Sequence, residues 1–210
     1  PVNGYGIFVF SAYKNVLVQK NTITNVEVGL TCAGSYSPGV TPVFTENIVD
    51  GQMKANSIGV YSTTEIWGSL SGNQNVVFSN NYIKNNVKGF LIASELGYTN
   101  TTTANNNSIT GNTTGVKLVK DYTEVPPTGS FVLDMNCNWW GATAAAAVAT
   151  AVGATDPPVD YTPWLVDGTD YAPPVLPGFQ PVPGSCVGTP IVFTCAENKT
   201  EAACQTQDAI

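Results

Sequence analysis

The chain has no histidine and no arginine. Its 8 basic residues are all lysine: Lys14, Lys20, Lys54, Lys84, Lys88, Lys117, Lys120 and Lys199. Without arginine, carboxylate and phosphate lose their usual bidentate donor. Without histidine, and with no C-x-x-C among the 5 cysteines, zinc has no ordinary ligand set, so no metal site is expected. Ca²⁺ held by loop carboxylates and carbonyls stays open, and no other cofactor is expected. Acidic residues number 15, which gives a net charge of −7. Phosphate binding needs clustered cations, so no nucleic-acid partner is expected. Charge of either sign is scarce, at 11% of residues. Long apolar runs are absent too. None approaches the ~18–20 residues that span a bilayer, so this segment is not expected to insert into a membrane. No basic stretch followed by an apolar core marks a signal peptide.

What is abundant is Asn, Thr, Ser and Gly, a mix suited to β-structure with many turns. It is also periodic. An Asn with an aliphatic residue two places on recurs as Asn21-x-Ile23, Asn47-x-Val49, Asn81-x-Ile83 and Asn107-x-Ile109. Asn138 is the last of the series, and Trp140 takes the aliphatic place. The spacings are 26, 34, 26 and 31 residues. A period of roughly 20–50 residues marks a solenoid, and without helical periodicity inside the unit it marks a β-solenoid. Three places before each Asn stand Val18, Phe44, Phe78, Ala104 and Met135. Five places before stand Val16, Pro42, Val76, Thr102 and Leu133, a weaker column.

A second signature is Gly followed by an alternating strand, at Gly6, Gly29, Gly59, Gly89 and Gly115. The columns Ile7, Leu30, Val60, Phe90, Val116 and Val9, Cys32, Ser62, Ile92, Leu118 share one face. The column between them, Phe8, Thr31, Tyr61, Leu91, Lys117, takes the other and is mixed. About five coils of short parallel strands follow, with aliphatic residues stacking inward. Asn21, Asn47, Asn81, Asn107 and Asn138 form a turn ladder, because Asn tolerates left-handed backbone and stacked amides bond along the axis.

The extra residues fall at one place in the coil, as Ala33–Thr41, Thr63–Asn75, Ser94–Thr101 and Asp121–Gly129. They are expected to leave one edge of the solenoid and to carry a ligand surface through Tyr36, Trp67, Tyr98 and Tyr122. Residues 1–141 are read as coils. Their first residues already belong to a repeat, so the chain is expected to be part of a longer protein. Residues 142–166 are read as a helix-strand cap that closes the last coil with Trp139, Trp140, Tyr161, Pro163 and Trp164, because a raw sheet edge invites aggregation. Residues 167–190 are rich in Pro and Gly and are expected to form an extended, stiff linker. Residues 191–210 are read as the start of a truncated Cys-containing repeat.

Cys32 is placed in the core as a small hydrophobe. Cys137 lies about three coils away, ~14 Å at one strand spacing per coil. That is beyond the ~7 Å reach of a disulfide, so the two are expected to be unpaired. Cys186, Cys195 and Cys204 are read as supplying one disulfide in an oxidising exterior. Sequons at Asn100, Asn106, Asn112 and Asn198 are as many as an Asn- and Thr-rich chain gives by chance.

Asn138-Trp139-Trp140-Gly141, followed by Val159-Asp160-Tyr161-Thr162-Pro163-Trp164-Leu165, resembles the C-terminal closure of secreted right-handed parallel β-helix proteins of the pectate-lyase-like type. The resemblance covers roughly residues 2–165 and implies an all-β, right-handed parallel β-helix. That superfamily includes lyases, hydrolases, adhesins and structural proteins, so the resemblance fixes no activity. The tail, Thr194-Cys195-Ala196-Glu197 with Thr200 to Ile210, resembles the opening of repeats in large surface proteins of gliding bacteria exported by the type IX secretion system. Together they imply a non-catalytic module at the cell surface, an adhesin or stalk with surface glycan as its partner. The outer-membrane export machinery is a further partner if the chain travels as its cargo. The alternative is a polysaccharide lyase or glycoside hydrolase. The coil acids include no D-x-D or Asp-Asp pair, and the hydrolase reading rests on Glu65, Glu95, Asp121 and Glu124 converging at the loop edge.

Overall fold

A computed structural model describes residues 4–34, 39–66, 70–171 and 176–189. The chain winds as a parallel β-solenoid. The first turn contains β1 (Tyr5–Phe10), β2 (Leu17–Gln19) and β3 (Thr22–Thr24), and the second β4 (Val28–Ala33), β5 (Val43–Thr45) and β6 (Ile48–Asp50). The third has β7 (Ile58–Thr63), a small antiparallel hairpin of β8 (Glu65–Ile66) and β9 (Leu70–Ser71), then β10 (Gln74–Ser79) and β11 (Tyr82–Lys84). The fourth has β12 (Lys88–Ala93), β13 (Thr99–Asn105) and β14 (Ser108–Thr110). β15 (Thr114–Val119) and β16 (Ser130–Asp134) begin a fifth. Like strands stack in order into three parallel sheets, called A (β1, β4, β7, β12, β15), B (β2, β5, β10, β13, β16) and C (β3, β6, β11, β14). Four turns are therefore complete rather than five. The fifth keeps only a Ser108–Trp139 bridge where its third strand would lie, because the bulk of Trp140 replaces the aliphatic residue there.

The inward columns align in register. Leu30, Val60, Phe90 and Val116 pair across sheet A. Val18, Phe44, Phe78 and Ala104 pair across sheet B, and Ile23, Val49, Ile83 and Ile109 across sheet C. All of these are buried, and the Phe44 and Phe78 rings stack 4.9 Å apart. The glycine column sits where sheet C turns into sheet A. A Cβ on Gly59 would lie 2.4 Å from Ile83 Cγ2 and 2.7 Å from the Gly89 carbonyl, so only hydrogen fits.

The asparagine series forms a continuous bonded column. Each Oδ1 of Asn47, Asn81, Asn107 and Asn138 accepts both the backbone N–H and the side-chain N–H of the asparagine one turn earlier. The left-handed residues are their predecessors, Lys20, Glu46, Asn80, Asn106 and Cys137, not the ladder asparagines as expected. The turn residue takes the strained backbone and so aims the next side chain inward. A second, shorter ladder joins Asn86 to Asn112, and sequence reading missed it.

The C-terminal part closes the last turn. Helix α1 (Ala145–Val152) packs Val148 and Val152 onto the core beside Trp140, with the Ala151 carbonyl against Gly115 of β15. Residues 160–165 lie along the final turn. Met135 and Cys137 N–H donate to the carbonyls of Asp160 and Pro163, and Leu165 N–H donates to Asn138. Trp164 is buried, its ring 6.1 Å from Tyr161. Trp139 is half-buried against Gly168.

Two expectations are corrected here. The described residues of 167–190 do not run out as an extended linker but fold back onto the solenoid. Strands β17 (Trp164–Leu165) and β18 (Cys186–Gly188) pair antiparallel. Phe179 is fully buried, 5.4 Å from the Tyr82 ring, and it exchanges hydrogen bonds with Asn80. Cys186 is bonded to Cys137, with a Cα separation of 5.1 Å, and not to Cys195 or Cys204, which lie outside the described residues. The fold-back brings the two together. Cys32 is buried and free, as expected.

Candidate functional site

The outer face of sheet A begins at the glycine column. Val28 lies on it although it has the parity of inward Leu30. Val28, Tyr61, Leu91, Ala93 and Val119 form a second apolar cluster there, separate from the core. The loop after β15 returns over this face. Its Lys120 N–H donates to Val125, and Glu124 pairs through one oxygen with Lys88 and through the other with Lys117. Lys88 is nearly buried, so its ammonium requires this partner.

Between that loop and β1 an open groove remains. One half has a volume of about 450 Å³, with Val28, Ile58 and Tyr61 as floor and Glu27, Asn56, Lys88 and Glu124 as polar rim. The other half narrows to about 20 Å³ between Phe8, Phe10, Ala33, Thr63 and Glu65. Tyr5, Tyr61 and Tyr122 line both halves. The β1 rings form a row, with Tyr5 to Phe8 at 5.5 Å and Phe8 to Phe10 at 5.8 Å. Tyr122 stands opposite, 65% exposed. The Tyr5 phenol is pushed up by burial and then by the charge of Glu27, with Tyr122 and Glu65 adding to it, so these groups converge.

Of the proposed ligand residues that are described, Tyr122 lies in the groove and Tyr98 does not. Tyr98 is half-buried in the turn after β12 and supports the loop stack, its N–H donating to Glu95 and its carbonyl accepting from Ser130. Tyr36 and Trp67 lie outside the described residues. Sequence reading missed Tyr5, Glu27, Asn56, Tyr61 and Lys88. The signal was the outward column containing Phe8 and Tyr61, which its mixed composition concealed.

The four carboxylates considered for hydrolysis separate into two groups. Glu124 is engaged by two lysines. Glu65, Glu95 and Asp121 each lie two residues past registered Thr63, Ala93 and Val119, at the same edge of sheet A. Burial, and then the charges of Glu95 and Asp121, raise the Glu65 carboxyl above its ordinary range, with Lys120 offsetting part. Asp121 also accepts from Thr123 and pairs with Lys120 at 3.8 Å. Among the described residues no group of three His, Cys, Asp or Glu side chains is arranged to hold a metal ion. Of the sequons, Asn100 is fully buried and bonded to the Ser62 and Ala93 carbonyls, so it is closed to modification in the folded chain.

Fold and site together define a parallel β-solenoid with an aromatic groove on one outer sheet. No family model, curated protein or solved structure matches the chain.

Proposed function

We propose that this chain is a non-catalytic module of a secreted cell-surface protein that binds glycan through the groove on sheet A. The carrying observation is the pair of facing aromatic walls, β1 with Tyr5, Phe8 and Phe10 and the returning loop with Tyr122, over a floor edged by Glu27 and Asn56. Sugar rings present apolar C–H faces to aromatic rings and hydroxyls to amides and carboxylates, which is what such a groove offers. The Cys137–Cys186 disulfide supports an oxidising exterior. The tail's likeness to repeats of type IX-exported proteins extends the proposal to an adhesin or stalk of that class. The test is affinity electrophoresis in polysaccharide gels. Tyr5→Ala and Tyr122→Ala are expected to weaken retardation at least about tenfold, since each removes a stacking ring. Unretarded wild-type protein across a broad polysaccharide panel would sink the proposal.

One observation favours a second reading. Glu65 is a carboxyl of raised pKa beside two others, as a glycoside hydrolase needs. Release of reducing ends that Glu65→Gln abolishes would establish it.

A further inference from the structure

The wide half of the groove holds a charge without a partner. The Glu27 carboxylate lines it and, among the described residues, accepts no hydrogen bond and pairs with no lysine. Lys54 donates to the Asn25 carbonyl instead. Lys88 lines the same space, but it is nearly buried and bonded to Glu124, whose other oxygen holds Lys117. Over the outer face of sheet A and its edge, the carboxylates of Glu27, Glu65, Glu95, Asp121 and Glu124 outnumber the ammoniums of Lys88, Lys117 and Lys120. The phenols respond to that field. Burial and then Glu27 push Tyr5 up. Burial pushes Tyr61 up as well, Thr63 offsets part, and Glu65 and Asp121 add to it.

The surface beside Glu27 is aromatic. Tyr5, Tyr61 and Tyr122 all line the space, Tyr61 with its hydroxyl against Thr63. Aromatic rings attract a cation electrostatically, and more strongly where water is displaced. Rings and an unpaired carboxylate together select an ammonium and repel an anion. The Asn56 amide on the rim makes no side-chain hydrogen bond among the described residues, so it offers a hydroxyl both a donor and an acceptor. The volume of about 450 Å³ is that of a small-molecule site, and the space beyond it narrows to about 20 Å³. A compact ligand fits, and a threaded chain does not.

Resting on the glycan reading above, we infer that the wide half of the groove takes an amino-sugar unit, its protonated amine set against Glu27 beside Tyr5 and Tyr122 and a ring hydroxyl bonded to Asn56. A cationic glycan is also the class that a chain of net charge −7 draws by its field.

The experiment measures binding of the whole chain to a glucosamine disaccharide, to its N-acetylated counterpart and to tetramethylammonium, at low salt and in about 0.5 M NaCl. Wild type, Glu27→Gln and Tyr122→Ala are compared, with thermal midpoints to establish that each is folded. The amine disaccharide is expected to bind about tenfold or more tightly than the acetylated one. High salt is expected to weaken it, and Glu27→Gln to remove most of the preference. Equal binding of the two sugars, lost in Tyr122→Ala, would overturn the ammonium and leave the glycan groove standing. A preference that Glu27→Gln leaves intact would remove Glu27 from recognition. Amine binding that survives Tyr122→Ala is general attraction to an acidic chain and counts against the site. Tetramethylammonium bound as tightly as the amine disaccharide would show that the sugar ring is not read, which sinks the amino-sugar. If none of the three binds while a neutral polysaccharide retards the protein in gels, this inference alone fails. If nothing retards it either, the glycan reading fails with it.

Discussion

The Asn81 amide uses all of its hydrogen-bonding capacity inside the protein. Its oxygen accepts two bonds from Asn47, and its two N–H groups donate to the Phe44 carbonyl and to Asn107. Every partner is buried, so truncation leaves several groups unpaired at once. Asn81→Ala is expected to destabilise the chain by about 3 kcal/mol or more, read as a fall in the urea midpoint. Asn81→Asp is not expected to rescue it, because its second oxygen would face the Phe44 carbonyl and Asn107 Oδ1, both acceptors. Asn21 gives the comparison. It ends the column partly exposed and accepts from no earlier asparagine among the described residues, so Asn21→Ala is expected to cost under about 1 kcal/mol. Equal losses at the two positions would refute the ladder as the source of stability. Cys32 follows the same logic of enclosure, since burial raises its thiol to about 12 and leaves it unreactive in the folded chain.

At the scale of elements, the loop over sheet A is attached by charge. Burial alone would raise the Glu124 carboxyl, but hydrogen bonds and charges from Lys117 and Lys88 outweigh it and hold it below the ordinary 4.5. A depressed carboxyl stabilises the fold above its unfolded pKa and loses that contribution as pH falls through the folded one. Glu65 has the opposite sign. Its raised carboxyl penalises the fold at neutral pH, and the penalty is relieved as pH falls through the raised value. Urea titrations across pH separate the two. The stability gap between wild type and Glu124→Gln is expected to be positive at pH 7 and to shrink below pH 4.5. Glu65→Gln is expected to stabilise at pH 7, with its benefit vanishing on acidification. A pH-independent gap for Glu124→Gln would remove the ion pairs as the attachment of the loop. The loop itself was legible as an insertion, because the repeat on either side fixed its place. Its direction was not, since nothing in the repeat marks Lys88 and Lys117 as the partners of Glu124.

For the molecule as a whole, legibility followed periodicity. Phe44, Phe78 and Ile83 announce the solenoid because each repeats one turn later, and Trp140 announces its end by breaking the column. Nothing periodic announces the fold-back. Phe179 meets Asn80 across 99 residues, and Cys137 pairs with a cysteine 49 residues on, in a stretch whose prolines read as a linker. The consequence is a molecule tied together at two levels. Within the coils, stability accrues between neighbouring turns, as in any stacked repeat. The fold-back instead spans turns. Gly178 lies so close over Glu46 and Asn80 that a Cβ would come within 2.4 Å of each, Tyr82 donates to Asp170, and the disulfide closes the segment. Closing a 49-residue loop stabilises by about 4 kcal/mol in the chain-entropy description. The paired change Cys137→Ser with Cys186→Ser is therefore expected to lower the urea midpoint, but locally. Amide exchange is expected to speed at Phe179, Val166 and Leu165, whose N–H groups bond to Asn80, Ser185 and Asn138, while Asn47 and Asn81 amides keep their protection. If the ladder amides lose protection together with Phe179, the coils and the fold-back unfold as one unit, and the disulfide secures the whole solenoid rather than its C-terminal closure.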